Sequence, residues 1–329
     1  MEMSRYAKAR NQKFIVMGMG SLDLLVKARQ DVTWERWSVP NLPVTQQLPI
    51  GAPWPNYLHS LDGIILESAF CFTPTADDIR SAIGSVSPDL PKDQYDAEME
   101  RGRKQALLNH IEKEIGFASF LGKEGGVVYA INSCPTLQSA VTASDMMRER
   151  KILGYTTEHS RFAEIPTERP QNENAANISS LDHVQTILPL IDLPISGGET
   201  GLRTVRNNNY DMLIVSPLLR TATPITDKDV HTLKFKALGS RRLVLATLPL
   251  TVAKNTAFYW KSEWKAGTPT WMVSPNKRGD GMVVRYWDPA WKKMLGQSME
   301  GIINMGFDGV VLTDMDSFKV FEAMDPLLE

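Results

Sequence analysis

Asp314 and Asp316 follow directly on the apolar run Val310-Val311-Leu312, in the stretch GFDGVVLTDMDSF (306–318). Carboxylates at the mouth of a buried strand are costly unless they are paired or used, so these two are the first candidates for chemistry. Other reactive types are sparse. His59, His110, His159, His183 and His231 are scattered, with no HExxH or HxH pair, and the spacing predicts no metal site and no cofactor. Cys71 and Cys134 lie far apart without a CxxC, which predicts two buried thiols rather than a disulfide or thiolate site. The turns Gly18-Met19-Gly20 and Ser196-Gly197-Gly198 lack the third glycine of a dinucleotide fingerprint and read as plain turns.

The elements that must position the aspartates are visible as eight short apolar runs: 14–19, 62–68, 126–132, 151–157, 184–191, 210–216, 242–248 and 307–313. Most are continuously apolar, as strands covered on both faces are, and helical periodicity fills several of the gaps. The clearest helices are 97–115, 135–150 and 289–305. In the last, Trp291, Leu295, Met299, Ile302 and Ile303 form one stripe behind an Asp288-Pro289 start. Eight strands with crossover helices predict an α/β fold, a (β/α)8 barrel, with a doubly wound open sheet as the runner-up. Two stretches break the rhythm. Residues 29–58, rich in proline and carrying Trp34, Trp37 and Trp54, read as a lid over a site. Residues 166–180, polar with two prolines, read as a linker.

The chain has 329 residues, 43% of them hydrophobic, enough for one large barrel. Lys and Arg number 36 against 38 Asp and Glu, with no polybasic block, so no nucleic acid or charged membrane partner is expected. No run approaches the roughly 20 apolar residues of a membrane span. Basic residues precede FIVMGMG, but Asp23 follows too soon for a signal peptide, so the sequence as given predicts a cytoplasmic protein, with secretion left open. Asn177-Ile178-Ser179 is formally a glycosylation sequon.

The stretch 242–318 carries a longer pattern: RLVLATLPL, FYWKSEWKAGTPTWM, VRYWDPAWKKML and GFDGVVLTDMDSF. It resembles the first half of the glycoside hydrolase family 114 barrel, the endo-α-1,4-polygalactosaminidase-like group. The family's second half is similar to the front of this chain: MEMSRYAKARNQKFIVM, YLHSLDGIILESAF, GGVVYAIN and KILGYTTEHSRFAEIP resemble its strands five to eight. The resemblance therefore implies a circularly permuted TIM barrel, a single domain over 1–329. Residues 1–165 would be the family's second half, 166–180 the joining linker and 181–329 the first half. A cut across two tandem barrels is the other reading of that order.

Glycoside hydrolysis generally uses two carboxyls flanking the bond, and in this architecture they sit at the carboxyl ends of strands. The resemblance gives Glu67 as one of the pair. It puts the family's strand-end aspartate where this chain has Thr313, matches Asp316 to the second aspartate, and leaves Asp314 one place beyond the usual position. A one-residue shift reverses the side chain unless the strand ends or bulges there. Asp314 is accordingly expected to turn partly away, with Glu67 and Asp316 facing one pocket. Ser216, Val252, Ala257 and Gly20 also depart from the family's polar positions. The aromatics Tyr259, Trp260, Trp264, Trp271, Tyr286, Trp287 and Trp291 are retained, as packing or as a sugar-stacking platform. Trp260, Trp287, Tyr286, Thr313 and Trp54 are the candidate substrate contacts. Asp308 reads as structural, and Glu158 and His159 as a solvated loop. The expected function is a catalytically impaired relative binding a glycan, such as an amino-sugar oligosaccharide, or a protein partner. The alternative is an active glycosidase on galactosamine-type polymers using Glu67 with Asp314 or Asp316.

Overall fold

The computed structural model describes residues 1–28, 31 and 48–324. All eight apolar runs form strands of one parallel sheet: β1 (Ile15–Met19), β2 (Gly63–Glu67), β3 (Val127–Ser133), β4 (Leu153–Thr157), β5 (Ile187–Leu190), β6 (Met212–Val215), β7 (Leu243–Pro249) and β11 (Gly309–Thr313). Their order is β4-β3-β2-β1-β11-β7-β6-β5, with β1 and β11 bonded in parallel so that Met17 faces Val311. The outer strands β4 and β5 approach one another without a ladder between them. The sheet is thus nearly closed and barrel-like. Pro189 in β5 is tolerable there, because an edge strand needs donors on one side only.

Continuity of the apolar runs follows from the sheet having two buried faces. Met17, Ile65, Ile131, Ile214, Leu245 and Val311 pack into one cluster inside the barrel. Their neighbours Val16, Ile64, Ala130, Leu213, Val244 and Val310 join a second cluster with the surrounding helices. Side chains alternate along a strand, so the inward parity that runs through Ile65 and Val311 reaches Glu67 and Thr313 at the carboxyl ends. The same parity brings Ser216 and Thr247 within 2.6 Å, hydroxyl to hydroxyl.

The helix Pro289–Asn304 packs Trp291, Leu295, Met299 and Ile302 onto the sheet, and the Asp288 carboxylate accepts from the Ala290 amide at 2.8 Å. The helix Lys92–Lys123 is the longest, and Gly102 sets its approach to the helix Ala76–Ile83. A methyl at Gly102 would lie 2.6 Å from Ile79, so the two helices meet only because that side chain is absent. Among the described residues no helix is long and apolar enough to cross a membrane.

The amino-terminal face is stitched by aspartates that precede strands. Asp62 accepts from the Val16 amide at 2.8 Å, and Asp308 accepts from the Val244 amide at 2.9 Å while pairing with Lys234 and Arg241. Asp211 accepts from the Gln185 amide and pairs with Lys236 at 2.6 Å, both side chains fully buried. Residues 166–180 contain no regular element and run beneath this face. Ile178 donates to the Arg241 carbonyl, and Asn174 reaches Asp211. Ile178 itself, 1% exposed, closes the bottom of the inner cluster.

Two features depart from the sequence reading. A small antiparallel sheet, β8 (Val252–Lys254), β9 (Met272–Pro275) and β10 (Gly281–Val284), in the order β8-β10-β9, rises between β7 and the helix Pro289–Asn304. Cys71 and Cys134, expected as free thiols, form a disulfide with their Cα atoms 5.1 Å apart. They lie 63 residues apart in sequence but follow the adjacent strands β2 and β3, so the bridge clamps the rim beyond Glu67. Most of the stretch 29–58, including Trp34 and Trp37, lies outside the described residues. Its end, around Trp54, folds back onto the carboxyl end of β1 through the Trp54 amide and the Leu25 carbonyl.

Candidate functional site

At the carboxyl end of the barrel, Glu67 closes β2 and is followed by Ser68 in a left-handed conformation (φ 55°). Gly20, at φ 69° beyond β1, leaves room for it: a β-carbon there would stand 3.1 Å from Glu67 Oε2. Thr313, the last residue of β11, points inward and is 6% exposed. Asp314 is also left-handed, at φ 51°. Aspartate tolerates that region better than most residues, and the turn breaks the strand's alternation.

The consequence corrects an expectation. Asp314 does not turn away; its carboxylate accepts from the Thr313 hydroxyl at 2.9 Å and pairs with Lys254 Nζ at 2.8 Å. Lys254, at the end of β8, also reaches Asp280 at 3.1 Å. Arg278, on the turn between β9 and β10, crosses the mouth to form an ion pair with Glu67. Asp316 is exposed.

These groups divide two spaces. An inner chamber of about 70 Å³ is lined by Ser216, Thr247, Thr313, Lys254, Tyr259 and Asp280. An outer cavity of about 900 Å³ is lined by Glu67, His110, Lys277, Asp316 and Lys319. Arg278 and Asp314 line both, as does Met19, so the two spaces meet at these residues. Glu67, Asp314 and Asp316 therefore share the outer cavity, whereas Thr313 lies in the inner chamber.

Burial pushes the Glu67 carboxyl above its ordinary value; Arg278 pulls it back, and Asp314 and Asp316 push it up. Glu67 in turn raises the Arg278 guanidinium, against burial. Around Asp280, burial pushes upward but hydrogen bonds from Asn276 and the Lys254 charge prevail, and its carboxyl is lowered. The site thus holds a carboxyl inclined to keep its proton, restrained by one guanidinium.

The aromatic candidates stand elsewhere. None of Trp54, Trp260, Tyr286 and Trp287 lines either space. Trp260 stacks edge-on to Trp264, which continues through Trp271 to the buried Trp291 at centroid spacings of 5.1 and 5.3 Å. Trp287, half exposed, packs with Tyr286 and Phe321. Trp54 caps the short helix Pro55–Leu58, with Lys27 over its ring. His159 pairs with Glu164 at 2.8 Å near the β4–β5 seam. Sequence reasoning missed Lys254, Arg278 and Asp280. The one available signal was the turn sequence Asn276-Lys277-Arg278-Gly279-Asp280 between two short apolar runs.

No family model matches the chain. It is similar to an uncharacterized protein of Deinococcus radiodurans, 29% identical over 123 residues, which cover 37% of this chain and 38% of that protein. An uncharacterized protein of Methanocaldococcus jannaschii is 28% identical over 116 residues, 35% of this chain and 33% of the relative. One of Thermotoga maritima is 34% identical over 68 residues, 20% and 21% of the two chains. The chain spans no more than 38% of the length of any of these three relatives.

Proposed function

We propose that this chain is a glycan-binding barrel similar to the family 114 glycoside hydrolases, with hydrolysis lost or strongly impaired. One observation carries the reading: the strand-end carboxylates of β2 and β11 are each held by a cation, Glu67 by Arg278 and Asp314 by Lys254, which Asp280 shares. Glycoside hydrolysis wants one carboxyl protonated and a second free to attack or to activate water. With Thr313 in the place the resemblance reserves for an aspartate, neither condition is met while both pairs hold. The active-glycosidase reading draws on a different observation, the upward push of burial on Glu67 together with Asp314's return toward the chamber. An amino-sugar ligand is what the resemblance implies.

Calorimetry and product analysis with α-1,4-linked galactosamine and N-acetylgalactosamine oligomers test this. Binding without cleavage is expected. Cleavage that disappears in Glu67→Gln would install the active reading instead, and absence of binding would remove the glycan reading altogether.

The finer architecture in this proposal is a (β/α)8 TIM barrel in permuted order. Three observations support it. The unbonded seam falls between β4 and β5, which residues 166–180 connect. The chain's first and last strands of the barrel sheet are bonded neighbours. The similarity to the Deinococcus radiodurans protein covers 38% of its length, less than half, which is compatible with exchanged halves. Joining Glu329 to Met1 through a flexible linker and opening the chain between the exposed Gln171 and Asn172 is expected to give a folded protein. Its melting temperature should stay within about 5 °C of the parent, because no buried contact is cut. Failure of that chain to fold would count against the permutation.

The Cys71–Cys134 bridge supports an oxidising compartment over the cytoplasm that the N-terminal sequence suggested.

A further inference from the structure

We propose that the hairpin of β9 and β10 is a proton-operated latch on the mouth: Arg278 seals the outer cavity from the inner chamber while Glu67 is ionised, and lets go when Glu67 takes up a proton. The contact joins residues 211 apart in sequence, from the end of β2 and from the β9–β10 turn, and stands where the two spaces meet. The hairpin's root is fixed, since Lys254 on the adjoining strand holds Asp280 and Asp314. The turn itself is closed by hydrogen bonds between Asn276 and residues 279–281, so the moving part is the Arg278 side chain, 52% exposed, which leaves Glu67 by rotation about its own bonds. Glu67, 23% exposed, is the less exposed partner and ends β2.

The groups facing Glu67 set the sign. Arg278 comes from the hairpin, Asp314 and Asp316 from the segment after β11, and Gly20 from the turn beyond β1, while His110 and Glu114 of the helix Lys92–Lys123, Lys277 of the hairpin and Lys319 line the same cavity. Burial, the largest influence, favours the neutral acid; both aspartates favour it too, and Arg278 alone opposes. Above the folded-state value of Glu67 the latch is shut. As pH falls through that value, Glu67 gains one proton from solvent, the ion pair is lost and Arg278 is released to water. The passage it opens leads to Thr313, Asp314 and Lys254.

The test needs no saccharide. Ser216, in the inner chamber, is replaced by cysteine as a reporter, and its labelling by a small methanethiosulfonate is followed at fixed neutral pH. Arg278→Gln is expected to speed labelling about tenfold, the effect of shifting the closed population by roughly one decade, with Arg278→Lys in between. Glu67→Gln, which breaks the latch from the other side, should match Arg278→Gln. Carbon-13 titration of the Glu67 carboxyl, assigned with Glu67→Gln, should show its midpoint rising in Arg278→Gln. Equal labelling in all variants, or an unmoved midpoint, overturns the latch. The latch rests on the mouth being a ligand site, but these readouts do not: a working latch on a protein that binds no oligosaccharide would remove the glycan reading and leave the hairpin's role intact.

Discussion

Asp211→Ala is expected to lower the free energy of unfolding by about 3–5 kcal/mol, the range found when one partner of a buried ion pair is removed. Denaturant unfolding with the slope held common to both proteins would measure it. The size follows from what Asp211 holds. Its carboxylate accepts from the amides of Gln185 at 2.8 Å and Thr186 at 3.2 Å, and takes the Lys236 ammonium at 2.6 Å. The same ammonium donates to the carbonyls of Asn174 and Ala176, so the segment 166–180 is anchored through this pair. Removing the carboxylate leaves a charge at zero exposure with only neutral acceptors. Asp211→Ala/Lys236→Met should recover much of the loss, because replacing both charges removes the desolvation cost along with the attraction. A loss below about 1 kcal/mol for the single variant would mean that water reaches this end of the barrel.

That pair also shows where sequence reading succeeds and where it stops. The strands were legible because a sheet buried on both faces demands unbroken apolar runs, and all eight runs became strands. Asp288 and Asp308 were legible for local reasons, one before a proline-led helix and one at a strand's start. The small sheet was not, because strands of three or four residues carry too little periodicity, and their pairing depends on β7 having already placed them. Nor was the disulfide, since Cys71 and Cys134 meet only through the pairing of β2 with β3. Among the candidate site residues, inward parity correctly brings Glu67 and Thr313 to the carboxyl end. Parity fails at Asp314, where the chain turns left-handed after the strand, and no residue type announces that turn. The aromatics illustrate the other limit: Trp271 and Trp291 would read the same on a sugar platform, and only burial identifies them as packing.

The combination Thr313→Asp/Arg278→Gln is expected to release α-1,4-linked galactosamine products at least about 100-fold faster than either single variant, the scale on which a positioned acid or base acts. The argument is that the two losses are separate. Thr313→Asp alone returns a carboxylate at inward parity on β11, but Arg278 still pairs with Glu67 and opposes its protonation. Arg278→Gln alone frees Glu67 to protonate, yet the remaining inward carboxylate, Asp314, stays on Lys254. Each single variant supplies one of two groups that act together, so the effects should be far from additive. The new aspartate sits beside Asp314 at a position 6% exposed, which will cost stability through repulsion and burial. Activity must therefore be compared at a temperature where both singles and the double remain folded. Adding Glu67→Gln to the double variant should abolish the gain, which separates turnover at this site from a contaminating hydrolase. If the double variant binds oligomers but leaves them intact, the remaining loss lies with Ser216, Val252 and Ala257, whose side chains offer the barrel mouth one hydroxyl and no charge.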